Sequence, residues 1–248
     1  MLVKSQVKYI QSLSQKKLRD EDGVFVAEGP KIINELLNAG NVQPVELFAV
    51  KEWLDEKPAG ITAAITEVTV PELERLSFLQ TPHQVIGVFK KPTFPPGIGI
   101  RNKISLMLDT IQDPGNMGTL VRCADWFGIG LVIGNTSCAD IFNPKVVQAT
   151  MGSISRVQVV YTDLEQFLQQ YPEVPVYGAT LEGKPVNGLT LPAEGIILIG
   201  NESKGISAPL LEKCTHRITI PRRGKAESLN AAVAAGIILS HMLSEAEG

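Results

Sequence analysis

The chain has 248 residues, 44% hydrophobic and 20% charged, with a formal net charge of −3. That composition excludes a disordered chain and is long enough for two domains, each with its own core. The opening MLVKSQVKYIQSLSQKKLRDEDG has no apolar signal-peptide core, and the longest apolar stretch, Leu229 to Leu243, is broken by Asn230 and His241, so no membrane span is expected.

The first segment is basic. Lys4, Lys8, Lys16, Lys17 and Arg19 crowd it, and such a cluster reads either as solvated surface or as a set of phosphate contacts. Short apolar runs then alternate with helical patterns: VFVAE, PKIINELLNAG, VELFAV, ITAAIT, VPELERL and VIGVF. Pro30 and Gly40 are the expected start and stop of the helix between them. This predicts a small α/β domain over residues 1–90. Three prolines and two glycines in KKPTFPPGIGIRN then mark a linker at residues 91–102.

From residue 103 to 248 the alternation sharpens. Strands are predicted at KISLMLDTI, GLVIG, RVQVV, VPVYGAT, GIILIG and HRITIP, an order that implies a mainly parallel sheet with ligands at the C-terminal strand ends. Three loops at those ends carry unusual residues. After the first strand comes DPGNMGTLVR, where Pro114 and Gly115 turn the chain, Asn116 is a candidate helix cap and Arg122 lies inside the helix. After the fifth comes GNESKG, and after the sixth PRRGKAESLN, whose Arg222, Arg223 and Lys225 form a second basic cluster. Glu227 or Ser228 is the expected cap of the final helix, AAVAAGIILSHMLSE.

Other sites fail on spacing. GIGLVIG is G-x-G-x-x-x-G within a strand, not a dinucleotide fingerprint, which argues against an NAD-type oxidoreductase. His83, His216 and His241 have no partners at metal spacing. Cys123, Cys138 and Cys214 are far apart, so neither a disulfide framework nor a zinc site is supported, and a reducing cytoplasm fits best.

In order and spacing, N-x-G-x-x-x-R, G-N-E-x-x-G and I-P-loop-S-L-N-A-A-V-A resemble the three motifs of the SpoU/TrmH ribose methyltransferases of the SPOUT superfamily. The resemblance runs from about Lys103 to the end, and the first domain is similar to that family's RNA substrate-binding domain, whose fold is like ribosomal protein L30e. It implies an α/β fold with a C-terminal trefoil knot, a homodimer, and S-adenosylmethionine as methyl donor without a metal. General topology rules alone exclude such a knot.

By the same resemblance, Thr180, Gly200, Ile220 and Leu229 hold the donor, and Asn116, Arg122, Glu202, Ser228 and Asn230 form the catalytic set. The implied reaction is methylation of a ribose 2′-hydroxyl, in ribosomal RNA in preference to transfer RNA. A guanidinium stays protonated, so Arg122 is expected to hold a phosphate and stabilise developing alkoxide charge. The alternative from another class is a non-catalytic RNA-binding or ribosome-assembly protein. The polar residues of all three motifs argue against it, because a mere binder has no need of that combination.

Overall fold

All five residues of VFVAE are buried, which makes β1 (Val24–Glu28) a strand without a solvent face. The computed structural model describes residues 2–97, 99–187, 189 and 193–243. Around β1 lie α1 (Lys4–Ser12), α2 (Lys16–Asp22), α3 (Pro30–Asn38), β2 (Pro44–Ala49), α4 (Lys51–Glu56), β3 (Ala64–Glu67), α5 (Val70–Glu74) and β4 (Val85–Lys90). Helix α3 begins with Pro30, whose missing N–H costs nothing in a first turn, and it buries Ile32, Ile33 and Leu36. The sheet order is β1-β4-β2-β3, antiparallel except for the β2–β3 pair. Val7, Ile10 and Leu13 of the first helix and its end join Val26, Phe48, Ile86 and Val88 in one core.

Beyond residue 102 the elements are β5 (Ile104–Leu108), α6 (Pro114–Trp126), β6 (Leu131–Gly134), α7 (Pro144–Thr150), β7 (Gln158–Tyr161), α8 (Leu164–Gln170), β8 (Val176–Pro185), β9 (Gly195–Ile199), α9 (Ala208–Lys213), β10 (His216–Thr219) and α10 (Ala231–Leu243). Six strands form one parallel sheet in the order β10-β8-β9-β5-β6-β7. This is the mainly parallel α/β fold expected from the alternation. β9 is buried at every position, as a strand covered on both faces must be. Met107, Ile133, Ile196 and Leu198 meet Phe167, Leu168 and Leu210 in its core, each such burial contributing roughly 1.5–3 kcal/mol.

The chain divides into two compact units, Met1–Pro95 with Asp140–Ser155, and Pro96–Ala139 with Arg156–Gly248. The first unit thus takes in a segment that follows residues 91–102 in sequence. In that segment α7 packs on β1, the Phe142 ring lies 5.5 Å from that of Phe25, and Asn41 Nδ2 donates to the Ser155 carbonyl at 2.8 Å.

Arg19 departs from the reading of the first basic cluster. It is 1% exposed, its Nη1 donates to the carbonyls of Leu13 and Ser14, and its Nη2 pairs with Asp140. Its Nη1 and Nη2 are occupied and its buried Nε has no hydrogen-bond partner among the described residues, so Arg19 is not available for phosphate. Lys4, Lys8, Lys16 and Lys17 remain on the surface.

Candidate active site

The first motif begins with a correction. Asp113, not Asn116, is the N-cap of α6: its carboxylate accepts the Asn116 N–H at 2.8 Å, and Pro114 fills the first helical position. A carboxylate at a helix start also meets the positive end of the helix dipole. Asn116, one turn in, is therefore free to use its side-chain amide elsewhere. Phe127 and left-handed Gly128 end the helix.

The second motif is a tight loop after β9. Asn201 and Gly205 exchange both backbone hydrogen bonds, at 3.0 and 2.9 Å, and Gly205 has φ +68°. A Cβ on Gly200 would lie 2.2 Å from the Gly205 carbonyl carbon, so only glycine fits there. The closure leaves Glu202 half-buried at the loop's tip.

The third motif supplies a second correction. Asn230, not Glu227 or Ser228, caps α10: its Oδ1 accepts from the N–H groups of Ala232 and Val233 at 3.0 and 3.2 Å. That use of the oxygen fixes the amide orientation, so its Nδ2 faces Asn116 and donates to Oδ1 there at 2.7 Å. Asn116 in turn donates from Nδ2 to Glu202 Oε1 at 2.7 Å. The result is one polarised chain, Asn230 to Asn116 to Glu202, that joins the three motifs and ends on a carboxylate.

β8, β9 and β10 are neighbours; of the candidate donor positions, Gly200 and Ile220 lie just past the C-terminal ends of β9 and β10, and Thr180 lies within β8. The β8–β10 register jumps from Gly178–Arg217 to Lys184–Ile218, which leaves residues 179–183 outside the paired ladder. Within that bulge Thr180 donates from its hydroxyl to the Glu182 carbonyl at 2.6 Å. Leu229 is exposed, immediately before Asn230.

Two predicted residues stand apart from the amide chain. Arg122 is exposed and makes no hydrogen bond or ion pair among the described residues. It lies six positions beyond Asn116, about 120° around α6 and about 9 Å along it. Ser228 is exposed in the loop before α10 and makes no hydrogen bond there among the described residues. Burial pushes the thiols of Cys123, Cys138 and Cys214 up, so none is an activated nucleophile. Among the described residues no group of His, Cys, Asp and Glu is arranged to hold a metal, and no helix is long and apolar enough to cross a membrane.

Sequence reasoning assigned no role to Asp109 and Asn135, nor to Asn201 beyond its place in the second motif. A carboxylate closing an apolar strand, as in ISLMLD, was the available signal for Asp109.

Helices α6 and α10 pack against each other, and the groove they leave, about 510 Å³, is lined by Asn116, Cys123, Asn230, Val233, Gly236 and His241.

Known proteins share both the sequence and this architecture. Residues 4–87 match the MRM3-like substrate binding domain. The 23S rRNA (guanosine(2553)-2'-O)-methyltransferase RlmP of Bacillus subtilis is 32% identical over 245 residues, 95% of each chain. An AdoMet-bound rRNA methyltransferase from Sinorhizobium meliloti superposes with TM-score 0.82 at 30% identity, over 97% of this chain and 95% of its own. A TrmH-family protein from Porphyromonas gingivalis reaches TM-score 0.87 at 35% identity, covering 99% of this chain and 100% of that one. The stretch that holds Asn116, Glu202 and Asn230, residues 103–240, matches the SpoU rRNA Methylase family as a unit, and the chain belongs to that family.

Proposed function

We propose that this chain is an S-adenosylmethionine-dependent RNA methyltransferase that methylates a ribose 2′-hydroxyl in ribosomal RNA. The observation that carries it is the amide chain from Asn230 through Asn116 to Glu202, set at the C-terminal edge of a parallel sheet. The names of the Bacillus and Sinorhizobium relatives support rRNA as substrate and S-adenosylmethionine as donor.

The residues present fit that donor. Backbone groups of residues 179–183 lie outside the β-ladder, exposed Leu181 offers apolar surface beside them, and its carbonyl accepts from Thr219 next to Ile220. Thr180, Gly200, Ile220 and Leu229 would hold adenosine through backbone groups and apolar contact. The donor supplies a methyl group on a cationic sulfonium, and the half-buried Glu202 carboxylate suits a nearby positive charge.

On the acceptor side, Asn116 is held in one orientation by partners on both sides. A preset amide and carboxylate can align a ribose hydroxyl at no further orienting cost, and such positioning removes several kcal/mol of barrier. Arg122 remains charged, grips the adjacent phosphate and stabilises developing alkoxide charge.

Because Arg122 points away from Asn116 on α6, the site is completed in a homodimer, where a second copy brings its Arg122 to the cluster. Exposed Trp126 on α6 and Val233 on α10 offer the apolar surface for that contact. The knotted topology and a cytoplasmic location belong to the same reading, the latter supported by three free cysteines.

The test is transfer of labelled methyl from S-adenosylmethionine to purified ribosomal RNA and transfer RNA, followed by digestion to nucleosides. Label on a 2′-O-methyl nucleoside of ribosomal RNA is expected. Label only on transfer RNA, or on a base, would overturn the assignment.

A further inference from the structure

Asp109 closes β5 and is 4% exposed, a buried carboxylate whose hydrogen-bond partners among the described residues are all neutral. Its Oδ1 accepts from Asn135 Nδ2 at 2.9 Å and from Thr110 Oγ1 at 3.0 Å. Its Oδ2 accepts the Ser207 N–H at 2.7 Å, and its own N–H donates to the Ile199 carbonyl at 2.9 Å. Ser207 is where the second-motif loop ends and α9 begins. The far end of the loop is therefore tied to Asp109.

The near end is tied to the next residue. Asn201 donates from Nδ2 to the Thr110 carbonyl at 2.8 Å, while its Oδ1 accepts from the N–H groups of Ser203 and Lys204 at 2.9 and 3.1 Å. Thr110 itself has φ +61°, an unfavourable conformation for a β-branched residue that turns its carbonyl out of the strand. Asp109 and Thr110 thus pin both ends of the loop that carries Gly200 and Glu202. Burying a carboxylate is costly, and a hydrophobic strand end would have stabilised the sheet without it.

We propose that Asp109 and Asn201 are positioning residues that hold the second-motif loop in the shape that binds the methyl donor. The proposal rests on the donor-site reading above. Asp109→Asn keeps the size and replaces one acceptor by a donor facing a donor. Asn201→Asp keeps the acceptor for Ser203 and Lys204 but replaces the donor to Thr110 by a charged carboxylate oxygen that faces the Thr110 carbonyl.

The experiment is calorimetry on the full chain with S-adenosylmethionine and with its demethylated product, beside thermal melts and filter binding of ribosomal RNA. Each variant should bind both ligands at least about tenfold more weakly, on the scale of one lost buried hydrogen bond to a charged or strained group. The loss should appear for sulfonium and thioether alike in both variants, although Asp109→Asn removes a negative charge and Asn201→Asp adds one, because loop shape decides binding, while RNA affinity stays within about twofold. A folded variant that binds donor like the wild type, or that loses RNA binding equally, overturns the proposal. If Asp109→Asn does not fold, the half-buried Asn201 decides by the same criteria. Failure of the wild-type chain to bind either ligand would instead refute the donor site itself, and the proposal with it.

Discussion

Asn230 donates to Asn116 across 114 positions of sequence, at 2.7 Å, with the same amide whose oxygen caps α10. The cap and the proposed catalytic chain are therefore one device: the helix start dictates which way Asn230 points, and Asn230 dictates which way Asn116 points.

The two roles separate by substitution. Asn230→Ala removes the cap and the amide donor, and should cost about 1 kcal/mol of stability together with most methyl transfer. Asn230→Ser restores an oxygen cap without the reach to Asn116. Chemical denaturation should show stability recovered while transfer stays low; recovery of both would show that the bond to Asn116 is dispensable.

Asn116→Asp places a second carboxylate against Glu202, at a contact now 2.7 Å long. Two such groups cannot both ionise freely, so one pKa rises. Transfer at neutral pH should fall by about two orders of magnitude, a scale typical of one lost preorganised group. It should partly return as the pH is lowered through the raised pKa. A pH–rate profile parallel to the wild type would contradict this account.

Burial pushes the Glu28 carboxyl up, while the Ser77 hydroxyl and the Phe78 N–H hold it partly down. A carboxyl with a raised folded-state pKa gives stability that is present below its unfolded pKa and lost as pH rises through the folded value. Glu28→Gln, which carries no charge, should therefore gain on the wild type in melting temperature as the pH rises from the ordinary carboxylate range through the raised pKa. A gap that shrinks with rising pH would reverse the sign.

The proposed dimer places Val233, 51% exposed on α10, against a second copy. Light scattering should give twice the 26.8 kDa of one chain, and Val233→Asp should shift it toward monomer with transfer lost. A fully active monomer would remove the shared site.

Much of the fold was legible because burial imposes pattern. The alternating runs named ten strands in their places, and β9, hidden on both faces, reads as the uninterrupted GIILI. The three motif loops were also legible, since Pro, Gly and polar residues interrupt apolar strands at one edge of the sheet. What escaped depends on partners remote in sequence. Nothing within VYGATLEGKP announces that its register slips against β10, because a bulge is a property of the pair. Arg19 looks like any surface cation until Asp140, 121 residues away, is beside it. The cap of α6 was misplaced by three residues, although Asp113 before Pro114 is the stronger start signal.

The most direct measurement compares wild type and Arg122→Ala in single-turnover transfer of labelled methyl from S-adenosylmethionine to ribosomal RNA, with donor affinity measured alongside. Arg122 is exposed and has no hydrogen-bond or ion-pair partner among the described residues, so its loss should leave the fold intact. The account predicts 2′-O-methylated ribose from the wild type, a rate lower by two or more orders of magnitude in the variant, about 3 kcal/mol, and unchanged donor binding. No ribose methylation by the wild type, or near-normal transfer by Arg122→Ala, would contradict it.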